Sequence, residues 1–350
     1  MTPPPETTLI REAHRFDQDA LVEYLNDHVE SFAGDLLVHQ FEGGQSNPTF
    51  HIAAGDREYV LRKKPPGVLL PSAHAVEREY RVTKALENTD VPVYRNLALC
   101  EDESVIGTPF VIMEYVRGRV FRNVELPDSN TEERAALYDA MNDALAKLHS
   151  VDPQKVGLDG FGKPGNYYAR QISRWSRQYV AAKTDEIPEV ESLMEWLPAN
   201  IPAGDETGIV HGDYRLENTI IHPTEPRILA VLDWELSTLG HPLGDLAYNT
   251  MPFYSDGGRG GGLLHNNPAE TGIPSVEDYV ASYCRRTGRD GIEHWNFYMA
   301  FSLFRSTSIA QGVYKRGLDG NAASRHALSL GKGIRKLAER AWSLVTEPRA

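Results

Sequence analysis

Two short segments carry residues whose types and spacing could do chemistry. His211-Gly-Asp-Tyr-Arg-Leu-Glu-Asn218 places an Asp five residues before an Asn, and Val231-Leu-Asp-Trp-Glu235 sets a second Asp fifteen residues after that Asn. Phosphoryl transfer from a nucleotide asks for this set. One carboxylate, Asp213, orients an attacking hydroxyl and accepts its proton. An amide oxygen from Asn218 and a second carboxylate from Asp233 hold Mg²⁺ against the phosphates. The bland alternative is a Gly-Asp surface turn with incidental polar neighbours. Two spaced motifs with strand-like flanks argue against it.

Residues of this kind need a scaffold, and the chain is long enough for one. At roughly 150 residues per domain, 350 residues give about two domains or lobes. Hydrophobic residues at 41% and charged residues at 24% are globular composition, which excludes chain-wide disorder. The net charge of −13 disfavours nucleic-acid backbone binding as the main task. Two cysteines, Cys100 and Cys284, cannot build a disulfide framework and fit a reducing compartment. The start, Met1-Thr-Pro-Pro-Pro-Glu6, lacks the basic and apolar regions of a secretory signal, and no apolar run is long enough for a membrane span. A cytoplasmic protein is the expectation.

The pattern along the chain predicts a change of character near residue 116. Residues 1–8 read as a loose tail. An amphipathic helix fits 17–30, with strands at 36–41, 49–53, 59–62, 96–100 and 110–115 and a helix from Ser72 to about Asn88. Helices then fit 131–149, 167–182, 188–197, 276–286, 295–313 and 322–345, interrupted by a strand-rich island over 209–234. The expected class is α+β, with a small β-rich lobe over 1–116 and a larger helical lobe over 117–350. The run Gly257-Gly-Arg-Gly-Gly-Gly262 reads as a mobile surface loop.

His211-Gly-Asp-x-x-x-x-Asn218 with Leu232-Asp-Trp-Glu235 resembles the aminoglycoside phosphotransferase family, which has a protein-kinase-like fold, over roughly residues 35 to 340. Within it the chain is similar to the kinase-like domain of acyl-CoA dehydrogenase family members 10 and 11. That likeness is carried by Tyr59-Val-Leu-Arg-Lys-Lys-Pro-Pro-Gly67, Leu70-Pro-Ser-Ala-His-Ala-Val-Glu-Arg-Glu-Tyr80, Phe161-Gly-Lys-Pro-Gly-Asn166 and Val231-Leu-Asp-Trp-Glu-Leu-Ser-Thr238. The resemblance implies ATP and Mg²⁺ as cofactors. It also implies a hydroxylated acyl-CoA, such as a 4-hydroxyacyl-CoA, as acceptor, with an acyl-CoA dehydrogenase as functional partner. An aminoglycoside or other amino-alcohol kinase is a second enzyme reading. A nucleotide-binding pseudokinase is the reading from another class.

The remaining parts of a kinase-like site can be sought residue by residue. Gly43-Gly-Gln-Ser-Asn47 lies between two strands; Gly43 and Gly44 let backbone N–H groups approach phosphate, with Ser46 and Asn47 as contacts. A strand cation should pair with the nucleotide phosphates and a helix carboxylate. Arg62 aligns with the usual Lys, and Lys64, two residues on, shares its side of the strand. Glu79 is the expected carboxylate, with Glu77 as the alternative. The backbone of Glu114 and Val116, after Phe110-Val-Ile-Met113, would face the base. His211 is expected to pack beneath the loop, and Asp245 looks like the family's helix-start Asp that braces it. The family pattern has Asp where His241 stands here. Gly160-Phe-Gly-Lys-Pro-Gly165 spells a dinucleotide fingerprint but follows no strand and contains a Pro without an N–H, so that reading is rejected. Arg170, Arg174, Trp175 and Arg305 form a candidate face for an anionic substrate, the opposite of what a polycationic aminoglycoside would seek.

Overall fold

A computed structural model of the chain describes residues 4–42, 47–65, 75–257, 260–321 and 327–347. In chain order the elements are β1 (Thr7–Thr8), α1 (Gln18–His28), β2 (Leu36–Phe41), β3 (Thr49–Ala54), β4 (Arg57–Lys63), α2 (Val76–Leu86), β5 (Asn96–Cys100), α3 (Glu103–Ile106) and β6 (Phe110–Glu114). There follow α4 (Thr131–Ser150), α5 (Tyr167–Ala182), α6 (Pro188–Ala199), β7 (Gly208–Val210), β8 (Thr219–Ile221), β9 (Ile228–Val231) and β10 (Thr238–Gly240). The last are α7 (Leu243–Asn249), α8 (Pro268–Thr271), α9 (Val276–Thr287), α10 (Trp295–Leu318) and α11 (Ala327–Thr346). No helix among the described residues is long and apolar enough to cross a membrane.

The chain divides into two compact units. The first comprises Met1–Arg119 with Thr219–Ser237, and the second Val120–Asn218 with Thr238–Ala350. The first unit is built on an antiparallel six-stranded sheet in the order β1-β2-β3-β4-β6-β5. Alternation along β3 and β4 sends Phe50, Ile52, Tyr59 and Leu61 into one core, where Leu21 and Leu25 of α1 also sit. Val60 and Arg62 therefore lie on the opposite face. Asp17 caps α1 by accepting from the N–H groups of Asp19 and Ala20, so the helix starts where the sequence places it.

The second unit is helical. Asn130 caps α4 and Ser275 caps α9, each accepting an N–H in the first turn. The 24-residue α10 is buried along much of its length, including Phe301, Leu303 and Phe304, and packs against α5, α7 and α11. The short strands β7 and β10 pair antiparallel, with Val210 opposite Thr238 and Gly208 opposite Gly240. A Cβ on Gly240 would stand 2.6 Å from the Tyr167 ring, so glycine is required for that close approach.

Four expectations differ from the structure. Residues 4–8 are not a loose tail, because Thr7 and Thr8 pair with Phe41 and Gln40 as an edge strand. The division falls at 119 rather than 116, and the island's Thr219–Ser237 joins the first unit instead of the helical one. Backbone bonds explain that return: Arg119 and Ile221 exchange N–H···O bonds of 2.7 and 2.8 Å, and Val231 N–H reaches Pro92 O at 2.9 Å. The glycine run is tied down where it is described. Val124 N–H donates to Gly260 O, and Gly262 N–H donates to Glu125 Oε1. Ser72 and residues 322–326, expected to open two helices, lie outside the described residues, as do Gly258 and Arg259.

Candidate active site

In the first unit Arg62 is the centre of an acidic cluster. Its Nε lies 3.1 Å from Glu79 Oε2, its Nη2 donates to Asp233 Oδ1 at 2.7 Å, and Glu235 Oε2 stands 3.8 Å away. Burial alone would lower the Arg62 pKa, but the charges of Glu79 and Asp233 outweigh it and hold the guanidinium above its ordinary value. One guanidinium is shared by three carboxylates. Burial, aided by Asp233 and Glu235, therefore pushes the Glu79 carboxyl up to about 7 despite the pull of Arg62. Lys64 pairs separately with Glu77 at 2.8 Å. The two sequence alternatives thus form two parallel pairs, Arg62 with Glu79 and Lys64 with Glu77, while Lys63 between them points into the core side over the Phe16 ring.

Asp233 owes its position to a tight turn. It adopts left-handed φ 64°, which Asp tolerates better than most residues. The turn is fixed by Trp234, fully buried, whose Nε1 donates to Val231 O, and by Ser237 Oγ donating to Trp234 O. Oδ1 of Asp233 serves Arg62, and the side chain is 36% exposed. Asn47 is fully buried and gives its Nδ2 to Glu79 Oε1 at 3.0 Å, so that side chain faces the helix carboxylate. Gly43, Gly44 and Ser46 lie outside the described residues. Glu114 ends β6 opposite Tyr59; its N–H bonds Arg95 O, and its carboxylate receives Arg95 N–H. Val116 follows on an irregular stretch.

In the second unit a short loop carries Asp213. Asp245, in the first turn of α7, accepts the N–H of His211 on Oδ2 at 2.5 Å and that of Gly212 on Oδ1 at 2.8 Å. Burial works to raise the Asp245 pKa, but hydrogen bonding and charge from His149, with His211 and the Gly212 N–H, hold it below the usual range. Gly212 takes φ +85°. His211 is fully buried, and its Nδ1 accepts the N–H of Asp213 at 3.1 Å.

Asn218 ends this loop. Its Nδ2 donates to Asp213 O at 2.9 Å and Asp213 Oδ2 at 3.0 Å. Oδ1, its acceptor atom, makes neither bond. Arg215 Nε approaches the same carboxylate oxygen at 3.3 Å. Sequence reasoning missed Tyr248, whose phenol is lifted by burial and by the charge of Asp213. Its spacing from Asp245, i and i+3 on α7, was the available signal. Tyr94 was likewise missed: it is buried, and its phenol is lifted by burial and by Glu79.

Of the expected anionic-substrate face, Arg174 and Arg305 both lie over the Trp175 ring, at 5.3 and 5.5 Å, but differ in burial. Arg305 is 7% exposed and donates to Gly212 O, and Trp175 is buried beneath it, so burial takes both away from an open face. Arg174 is exposed over the Trp175 ring, and Arg170 donates to Lys163 O at 2.6 Å. His241 is buried against Tyr168 and Tyr298, with its pKa lowered by burial. Gly162 of the rejected fingerprint presses on β10: a Cβ there would meet Leu239 N at 2.7 Å.

A profile of the phosphotransferase enzyme family matches residues 38–295. The chain belongs to that family. Acyl-CoA dehydrogenase family member 10 of Mus musculus is 48% identical over 346 residues, covering 98% of this chain and 32% of its own length. Family member 11 of Homo sapiens is 44% identical over 340 residues, covering 93% and 43%. The chain thus spans less than half of these relatives. A crystal structure of a candidate aminoglycoside phosphotransferase from Ralstonia eutropha is 51% identical, with a TM-score of 0.89 over 96% of this chain and 100% of that one. An aminoglycoside phosphotransferase solved with ADP and hygromycin B, at 16% identity and TM-score 0.61, covers 94% and 100% and shares the kinase-like fold.

Proposed function

We propose that this chain transfers the γ-phosphoryl group of ATP to the hydroxyl of a small molecule carried as an acyl-CoA thioester. The observation that carries the reaction is the pair Asp213–Asn218. The carboxylate is held from its own loop by the Asn218 Nδ2, which leaves the amide oxygen as the atom assigned to a cation. Asp213 accepts the proton of the acceptor hydroxyl as the new O–P bond forms, and ADP departs with the electrons of the broken bond. Arg62 positions the phosphates, and backbone groups of Glu114 and Val116 take the base. Gly43, Gly44, Ser46 and Asn47 are assigned to the phosphate loop.

Asn218 and Asp233 are each assigned to Mg²⁺ on the chemistry of their own oxygen atoms. Asp233 lies beside Glu79 on one guanidinium, and oxygen ligands from one carboxylate and one amide are ordinary for that ion. The bound ion supplies charge neutralisation on the phosphates.

The acyl-CoA assignment is supported by the names of the curated relatives, and a dehydrogenase partner follows from the same source. Arg170 and Arg174 suit an anionic acceptor. The two buried free thiols support a cytoplasmic setting. A second reading, aminoglycoside phosphorylation, is favoured by the likeness to the Ralstonia eutropha structure. The test incubates the protein with Mg·ATP and a panel of hydroxyacyl-CoAs, free hydroxy acids and aminoglycosides, and follows phosphorylated products by mass spectrometry. Phosphorylated hydroxyacyl-CoA, absent with Asp213→Ala, is the expected result. Aminoglycoside phosphate alone would replace the first reading with the second.

A further inference from the structure

Arg305 is an anomaly in the second unit. Its guanidinium is buried, and among the described residues it forms no ion pair. It sits between two aromatic faces, 5.5 Å from the Trp175 ring and 5.0 Å from the Tyr248 ring. Nη2 donates to Gly212 O at 2.5 Å, while Nε is buried without a partner. A buried cation without a counter-charge costs stability unless other groups replace its solvation. Two π-faces and one carbonyl offset only part of that, so packing alone does not explain the residue.

What the cation touches is specific. The peptide from Gly212 to Asp213 is held at both its polar atoms, the carbonyl by Arg305 and the Asp213 N–H by His211 Nδ1. The preceding N–H, that of Gly212, is held by Asp245. Glycine at φ +85° has unusual rotational freedom, and these three bonds remove it immediately before Asp213. The same guanidinium packs on the ring of Tyr248, whose phenol feels the charge of the Asp213 carboxylate.

We infer that Arg305 is a positioning residue of the phosphotransferase: it locks the Gly212–Asp213 peptide and seats Tyr248, so that the Asp213 carboxylate is preorganised toward the acceptor hydroxyl. This rests on the reading of Asp213 as the base. Misplacing such a group by about 1 Å can cost roughly a hundredfold in rate without loss of binding.

The test compares wild type with Arg305→Met, which keeps the stem and loses the donor, and Arg305→Lys, which keeps a charge but not the planar fork. Amide hydrogen exchange is read on peptides covering residues 211–213, with Phe110–Glu114 as the remote control. Steady-state kinetics are read with Mg·ATP and a hydroxyl acceptor found by the panel. Exchange at 211–213 should rise by about tenfold or more in Arg305→Met, with the control unchanged. Turnover should fall by about tenfold or more at unchanged KM for both substrates, and Arg305→Lys should recover part of it. Should Arg305→Met fail to fold, Arg305→Lys still predicts faster exchange than wild type. Unchanged exchange at 211–213 overturns the inference, as does faster exchange spread equally over the control. If wild type phosphorylates no hydroxyl, the reading of Asp213 fails, and the exchange result still decides whether Arg305 holds the loop.

Discussion

Arg62 Nη2 donates to Asp233 Oδ1 at 2.7 Å, joining residues 171 positions apart in the chain. The same guanidinium meets Glu79 through Nε. A lysine could serve one of these partners as a point charge but could not span both in one plane. Arginine in this position therefore ties the helix carboxylate to the turn that carries Asp233.

Removing that tie should be costly. Arg62→Met removes the guanidinium that Glu79 and Asp233 share, and the expected loss is about 3 kcal/mol of stability at pH 7. Urea unfolding of the two proteins measures it. A loss below about 1 kcal/mol would mean that solvent already screens the cluster.

Asn218→Ala tests the metal role proposed for the amide apart from its bonds to Asp213. The Mg²⁺ concentration for half-maximal activity should rise by about tenfold or more, and turnover at saturating metal should stay below wild type because Asp213 also loses its Nδ2 bonds. A magnesium titration of activity decides; an unchanged midpoint removes Asn218 from the metal.

Asp245 gives a pH dependence with a definite sign. Its folded pKa is depressed, so its contribution is complete above the unfolded value near 3.9 and is lost as pH falls through the folded value. Asp245→Asn should be less stable than wild type by about 2 kcal/mol at neutral pH. That gap should close only in strong acid. Thermal melts from pH 7 down to the acid limit, on both proteins, test this; a gap already closed by pH 5 would contradict it.

Gly118 tests the return of the 219–237 segment. A Cβ there would stand 2.3 Å from Ile220 Cγ2 and 2.4 Å from Ile221 O, and a backbone oxygen cannot swing aside. Gly118→Ala should cost about 2 kcal/mol through forced separation of the two strands. Denaturant titration measures this, and a neutral result would show that Arg119 and Ile221 part easily.

Most regular elements were legible from periodicity because their burial is one-sided. β2, β5 and α5 fall where alternation and the i, i+4 stripe place them. The residues proposed for phosphoryl transfer stood out because Asp213, Asn218 and Asp233 lie in two compact motifs. Arg305 was visible only as a charge, since its burial depends on Trp175 and Tyr248, which approach from different helices. The partner of Arg62 stayed open between two glutamates because a helix places Glu77 and Glu79 on different sides and only the docked register selects one. The edge strand at Thr7–Thr8 gave no signal, because two residues cannot show a period.

The path of the backbone also limits how this protein can be taken apart. The chain passes from one unit to the other after Arg119, after Asn218 and after Ser237, so no single cut separates them. A gene fragment ending at 119 would encode Arg62 and Glu79 without Asp233, Glu235 or the strands that Arg119 and Pro92 bond. Such a fragment would expose unpaired backbone at those residues and carry an arginine whose acids had been left behind. Recombination or tagging schemes that treat the first 119 residues as a module should yield insoluble product, whereas exchanges that carry 219–237 along with them should fold.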